Sequence, residues 1–483
     1  MHTARTLILL ALTGLLMAAC APTAPGTEAP ATPGCGDGVC GAFEDPLACP
    51  EDCEQALLSG KTLTTYINSE GIGKIAVLVA YPETPRFPEG AGVVVVVSPF
   101  FTKVDGFTTE PDFTSIGLIQ VSYLWPGIAD DRFGVQSEGE YDYGGEASIE
   151  ALRDVILFAS GHLRDVNDRS ITSLIPVKPL VDEVGLYAFS HAGIAAVNVL
   201  ALYGNLLEGV EYFVGNENPT VDTLSSLEVG HYDENGLPVQ NPFYIYPESY
   251  SPTKLTVNYG SLRWAADYTD ANSDFVGRPY LDLDGNGTVS EADHLFGWKV
   301  PQMFGKRYYS VKLTQALLNN GTLTLETWPA DLATPQEAAD AWTFRQSPSR
   351  YIKLLLNAPN LKVMLLFARS DHAQVAVDKP HIHQAFQGFR LAALLRWVRL
   401  NPDRTYLLAF TLSGGADFPD NPANTQPTDW LEIRDWAYPG SGLAGRLAPL
   451  AALAEMSDRA HTTRWDENLG DVLYEYAPAT PQP

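Results

Sequence analysis

Two stretches of this chain combine residue types and spacings that could do chemistry. The first surrounds Ser190. An apolar run, Val184 to Phe189, leads straight into Ser190, small residues follow, and a helix-like run from Ile194 to Tyr203 ends at Gly204. Strand, serine, tight turn and helix lift a hydroxyl into the open, and beside a base such a hydroxyl becomes a nucleophile. The competing reading of Ser190 is a helix N-cap. The second stretch runs from Asp282 to Asp293. Side-chain oxygens fall at Asp282, Asp284, Asn286, Ser290 and Asp293, Gly287 allows a sharp turn, and Thr288 offers its carbonyl. That spacing wraps hard oxygen ligands round one point, as calcium requires.

The elements that must position these residues alternate. Thr62–Asn68 and Lys74–Tyr81 read as an opening antiparallel pair. Gly92–Ser98 and Ile116–Tyr123 read as buried strands, Glu146–Ser160 as an amphipathic helix, and Val210–Val214 and Leu361–Ala368 as further strands. Ile382–Leu400 reads as a helix. Arg404–Phe410 is either an eighth strand or a helix capped at Asn401-Pro402-Asp403. The pattern predicts an α/β class with a mostly parallel central sheet and helices on both faces. Residues 216–350 break the alternation and are rich in aromatics, among them Tyr244, Tyr246, Tyr250, Trp264, Tyr268, Tyr280 and Trp298.

This pattern resembles the α/β-hydrolase fold over about residues 60–215 and 351–410, with residues 216–350 where that superfamily carries its cap. Ala188-Phe189-Ser190-His191-Ala192-Gly193 then resembles the nucleophile elbow G-x-S-x-G, with alanine at both glycine positions and Gly193 one place later. Asp131–Gly145 is similar to the R-G-x-G-x-S-x-G loop of X-prolyl dipeptidyl peptidases and cocaine-esterase-like acylases, with Phe133 in place of the first glycine. The resemblance implies Ser190 as nucleophile and Asp371, in LLFARSDHAQV, as the acid that orients an imidazole. It implies oxyanion donors on the backbone of His191 and of Phe100 or Phe101. The chain order Ser, Asp, His places the base after Asp371: His381 is the first choice, with His461 and His383 as alternatives. The expected activity is hydrolysis of a small ester or peptide through an acyl-enzyme, without an organic cofactor. The alternative is a catalytically inactive hydrolase fold that serves as a surface binding or structural lipoprotein. The Asp282–Asp293 loop resembles an EF-hand loop, with aspartate in place of the closing glutamate as in dockerin-type loops, and implies a structural Ca²⁺.

The N-terminus is a targeting segment. Arg5 precedes a short apolar core, Leu7–Met17, too short to span a bilayer, and small residues run up to Cys20. Leu16-Met17-Ala18-Ala19-Cys20 resembles a bacterial lipobox. That implies cleavage after residue 19, lipidation of Cys20 and a membrane anchor in the cell envelope; Ala21 after the cysteine points to the outer membrane. Residues 20–34 are a Pro/Ala/Thr-rich tether. Cys35, Cys40, Cys49 and Cys53 form an even set within residues 35–53, as expected of a small disulfide-rich module in an exported chain; a zinc site is the alternative, and the pairing is open. The hydrolase would then occupy residues 54–215 and 351–483. The whole chain's 58 acidic against 31 basic residues, a formal charge of -27, argue against nucleic acid, which needs clustered Lys and Arg.

Overall fold

A computed structural model describes residues 58–221, 228–233, 236–269, 275–297, 299–369, 371–392, 397–411, 423–435 and 443–465. Cys20, Cys35, Cys40, Cys49, Cys53 and Trp298 lie outside the described residues.

The central sheet has eight strands: β1 (Lys61–Ser69), β2 (Gly73–Tyr81), β3 (Ala91–Val97), β4 (Ile119–Tyr123), β5 (Pro179–Phe189), β6 (Val210–Asn216), β12 (Lys362–Leu366) and β13 (Val398–Leu400). Their spatial order is β1-β2-β4-β3-β5-β6-β12-β13. β1, β2 and β4 pair antiparallel, and every pair from β4 through β13 is parallel. This mostly parallel sheet with helices on both faces fits the α/β-hydrolase fold.

The β3 sequence shows why the sheet sits at the centre. Val93, Val95 and Val97 enter one apolar cluster, while Val94 and Val96 enter another on the opposite face. A strand covered on both sides has no polar face to alternate with. The first cluster is closed by α1 (Glu146–Ala159) and α2 (Ala192–Tyr203), and the second by α7 (Arg404–Thr411) and α8 (Leu443–Thr462). α8 also carries a fully buried ion pair: Arg86 Nε and Nη2 donate to the Asp458 carboxylate at 2.6 and 2.8 Å.

One expectation needs correction, and one open alternative is decided. The 382–400 stretch is not one helix. It divides into α6 (Pro380–Ala392) and β13, because Val398–Leu400 is drawn into the sheet beside β12. Arg404–Thr411 is accordingly helical, and the eighth strand lies ahead of it.

The chain between β6 and β12 forms its own small structures. These include β7 (Gly230–Tyr232), β8 (Pro238–Gln240), β9 (Leu262–Thr269), β10 (Val276–Leu281) and β11 (His294–Leu295), followed by α3 (Val311–Asn319), α4 (Pro335–Arg345) and α5 (Ser349–Asn357). β9, β10 and β11 form one antiparallel sheet. Tyr244 and Tyr280 are buried, and Tyr244 shares a cluster with Val229, Leu255 and Val257 of this segment and with Ala376 after β12.

Candidate active site

The turn after β5 is strained where chemistry would need it. Ser190 has φ +52°, a conformation uncommon outside glycine. The loop after β6, the next strand, holds that turn. Ser190 N–H donates to the Asn216 carbonyl at 2.9 Å. Asn218 Nδ2 donates to the carbonyls of Ser190 (2.5 Å), Asn216 (3.1 Å) and Ala188 (3.2 Å). Asn218 is buried against the start of α2, and a Cβ on Gly193 would lie 2.4 Å from its Cγ. The shifted glycine of the motif is thus a packing requirement: residue 193 faces the Asn218 amide, while alanine at 188 and 192 is fully buried without conflict.

The same loop supplies a carboxylate. Glu217, itself at φ +50° and almost fully buried, is fixed by its N–H to the Leu366 carbonyl at 2.8 Å. Its carboxylate accepts the backbone N–H of Ala368 (3.2 Å) and of His372 (3.1 Å). The His372 ring completes the set: Nδ1 lies 2.7 Å from Glu217 Oε2, and Nε2 lies 2.8 Å from Ser190 Oγ. Ser190, His372 and Glu217 therefore follow β5, β12 and β6, three adjacent parallel strands whose C-terminal ends share one edge of the sheet, an arrangement with the geometry of a nucleophile, a base and an orienting acid.

The three expected histidines sit elsewhere. His381 Nε2 lies 2.9 Å from Asp371 Oδ2, with both side chains buried. His383 is stacked between Tyr250 (3.9 Å) and Trp430 (3.7 Å). His461, on α8, contacts Glu183 at 3.0 Å and stacks on Phe87. The imidazole contacting Ser190 is that of His372, the residue beside the expected acid.

Asp371 does not hydrogen-bond that imidazole. Its Oδ1 accepts the N–H groups of Ala373 (2.9 Å) and Gln374 (2.7 Å) and stands 3.7 Å from His372 Nδ1. Burial by itself would raise the Asp371 carboxyl. The His381 charge and hydrogen bond, with His372 and Lys379, hold it well below the usual carboxylate range. Asp371 is thus a charged anchor of the loop that carries His372. The expectation failed by one strand for the acid and by nine residues for the first-choice imidazole: Asp371 and His381 were both expected after β12, whereas Glu217 follows β6 and His372 lies earlier in the loop after β12. Glu217 stands three residues after the expected strand Val210–Val214, and His372 lies in the stretch that singled out Asp371. Those were the available signals, but the contact between them spans 155 residues.

The oxyanion loop is also arranged differently from expectation. Phe100 N–H and Phe101 N–H both donate to His191 Nε2, at 3.0 and 3.2 Å, and the Phe101 ring stacks on the imidazole at 4.6 Å. Burial first, and the charge of His372 second, push the His191 pKa down to about 3. His191 is therefore a neutral acceptor, and the two Phe N–H groups are engaged by it. The 131–145 loop braces the same place, since Tyr141 Oη donates to the Phe100 carbonyl at 2.6 Å. Asp142 accepts the N–H of Gly145 and Ala147 at the start of α1. Arg345 of α4 donates to the carbonyls of Asp142 and Tyr143, tying the insertion to this loop.

Among the described residues, two groups offer metal-type donors, each with ligand atoms within 4.8 Å of one another: Glu217, Asp371 and His372, and Asp282, Asp284 and Asp293. In the first, the His372 and Glu217 atoms already bond each other. The second is the expected calcium loop, which closes a strand–loop–strand hairpin between β10 and β11 instead of joining two helices.

No protein-family model matches the sequence, and no curated protein matches it. Solved structures similar to the chain include an α/β serine hydrolase without a lid from Xanthomonas campestris, at 15% identity over 34% of this chain and 64% of that one, TM-score 0.23. They also include an esterase of the hyperthermophilic archaeon Pyrobaculum calidifontis, at 14% identity over 34% and 45%, TM-score 0.24. A third is brefeldin A esterase, a bacterial homologue of human hormone-sensitive lipase, at 17% identity over 35% and 42%, TM-score 0.24. The chain thus spans less than two thirds of the length of each.

Proposed function

We propose that this protein is a serine hydrolase that cleaves an ester or amide bond through an acyl-enzyme. The observation that carries the reading is the continuous contact Ser190 Oγ, His372 Nε2, His372 Nδ1, Glu217 Oε2, at 2.8 and 2.7 Å. With the Nδ1 proton held by Glu217, Nε2 is left bare to take the hydroxyl proton as Oγ attacks a carbonyl carbon. The imidazolium so formed is stabilised by Glu217, with the Asp371 charge nearby. It then returns the proton to the departing alcohol or amine. Water, activated in turn by Nε2, attacks the acyl carbon, and expulsion of Ser190 Oγ frees the acid. The His191 backbone N–H, next to the nucleophile, is the first oxyanion donor. Phe100 and Phe101 would join it only once the His191 ring has left their N–H groups.

An inactive fold, the alternative, drew on the want of a placed base and on the Cys-rich module; the His372–Ser190 contact favours the active reading. The substrate class is a small ester or peptide. The N-terminal segment supports a mature chain tethered to the outer membrane through lipidated Cys20, with two disulfides among Cys35, Cys40, Cys49 and Cys53. The test is labelling by a fluorophosphonate probe together with turnover of p-nitrophenyl esters. Wild-type protein is labelled at Ser190, and Ser190→Ala loses both signals. A folded wild-type chain that stays unlabelled and inert overturns the reading.

A further inference from the structure

The insertion carries a buried carboxylate oxygen with no hydrogen-bond partner. Asp282, at the end of β10, is 5% exposed. Its Oδ2 accepts from Arg263 Nε at 2.5 Å and from Gly287 N–H at 3.1 Å. Its Oδ1 is buried with no hydrogen bond. Such an oxygen costs stability unless a cation or donor meets it. Asp284 and Asp293 bring carboxylate oxygens within 4.8 Å of the Asp282 ligand atom, and Gly287 makes the turn between them at φ +77°. Asn286, Ser290 and the Thr288 carbonyl complete a set of six oxygen donors in sequence. Such an all-oxygen, mixed-charge set suits calcium better than magnesium, which keeps much of its water.

The hairpin's position gives such an ion a consequence. Asp282 and Asp293 are the residues just outside the Leu281–His294 pair that joins β10 to β11, so an ion between them staples the hairpin shut. The His294 ring faces His231 of β7, with centroids 5.7 Å apart. Gly230, beside His231, packs on the histidine loop so closely that a Cβ would lie 2.4 Å from Val375 Cγ2. Val229 shares a buried cluster with Ala376, and Tyr244 from the same cluster donates its hydroxyl to Asp378 at 2.5 Å. β7 is thus the backing of the loop that presents His372. We propose that the 282–293 loop binds one calcium ion, and that this ion, by closing the β10–β11 hairpin, holds β7 against the His372 loop. The catalytic consequence rests on the hydrolase reading; the binding and the mechanical coupling do not.

The test uses the full chain stripped with chelator. Calcium titrated by calorimetry should bind at one site with a dissociation constant of about 10⁻⁶–10⁻³ M, and terbium should luminesce through the adjacent Tyr280. Asp284→Ala, at an exposed ligand, and Asp282→Asn should both abolish binding. Calcium should slow hydrogen exchange of residues 229–232 and 371–376 and raise the labelling rate of Ser190 by about 2- to 30-fold. Neither effect should occur in Asp284→Ala. No binding of calcium or terbium at millimolar concentration overturns the site. Binding that leaves exchange at 371–376 unchanged overturns the coupling. Calcium-dependent exchange in a chain that is never labelled sustains this proposal and sinks the hydrolase reading instead.

Discussion

Glu217 and His372 are joined twice: the Glu217 carboxylate accepts the imidazole Nδ1–H at 2.7 Å and the backbone N–H of the same histidine at 3.1 Å. The acid therefore fixes both the orientation of the ring and the position of its main chain. Glu217→Gln keeps the shape but weakens both bonds and stabilises the imidazolium poorly. Turnover should fall by about 10²–10⁴-fold, with p-nitrophenyl ester kinetics as the measurement. Asp371→Asn should cost turnover less and thermal stability more, since Asp371 folds the loop and does not hydrogen-bond the ring. Equal losses of turnover in the two variants would contradict this division.

Gly193 and Asn218 are fitted to each other. In Gly193→Ala the new Cβ meets the Asn218 side chain, which is locked by three carbonyl acceptors. Relief requires moving the amide that holds the Ser190 carbonyl. We expect a loss of about 1–3 kcal/mol in urea unfolding, with slower labelling of Ser190. Combined with Asn218→Ala, the alanine at 193 should cost little more. Full additivity would show that the two do not interact.

His191 should resist protonation. Its Nε2 accepts two backbone N–H groups, so the ring proton must sit on Nδ1, and its pKa lies at about 3. Long-range nitrogen–proton NMR should show the Nδ1–H tautomer at pH 7 and still at pH 5. His191→Ala leaves two N–H groups without their acceptor and should destabilise the fold by about 1–3 kcal/mol. An imidazolium at pH 5 would refute the assignment.

Acid should weaken the fold through its buried neutral histidines. Burial lowers the His383 pKa to about 3 between Tyr250 and Trp430, against about 6.5 in an unfolded chain. The unfolded state therefore binds the extra proton first, and stability falls as pH drops from about 6.5 towards 3. His383→Phe keeps the stack and removes this group, so the stability profile should lose up to about 1.4 kcal/mol of slope per pH unit in that window. A profile parallel to wild type by urea unfolding would count against a neutral His383.

Much of the scaffold was written in local pattern. The valine run of β3, the apolar run before Ser190 and the helical spacing of α1 each fix an element from a few neighbouring residues, and their alternation points to a mostly parallel sheet. The serine could be found because its signal, strand to tight turn to helix, is local. The Asp282–Asp293 spacing was legible for the same reason, though that it closes a hairpin was not. The two side chains joined to Ser190, His372 and through it Glu217, were not legible. Chain order constrains them, but which loop reaches Ser190 depends on strands brought side by side from distant segments. β6 lies directly beside β5 and β12 beside β6, so Glu217 and His372 converge, while Asp371, one residue from His372, turns to bond its own loop. Likewise no spacing in sequence announces that His191 would hold the N–H groups of Phe100 and Phe101. Side chains choose partners by direction as well as proximity, and direction is set only when the sheet is assembled.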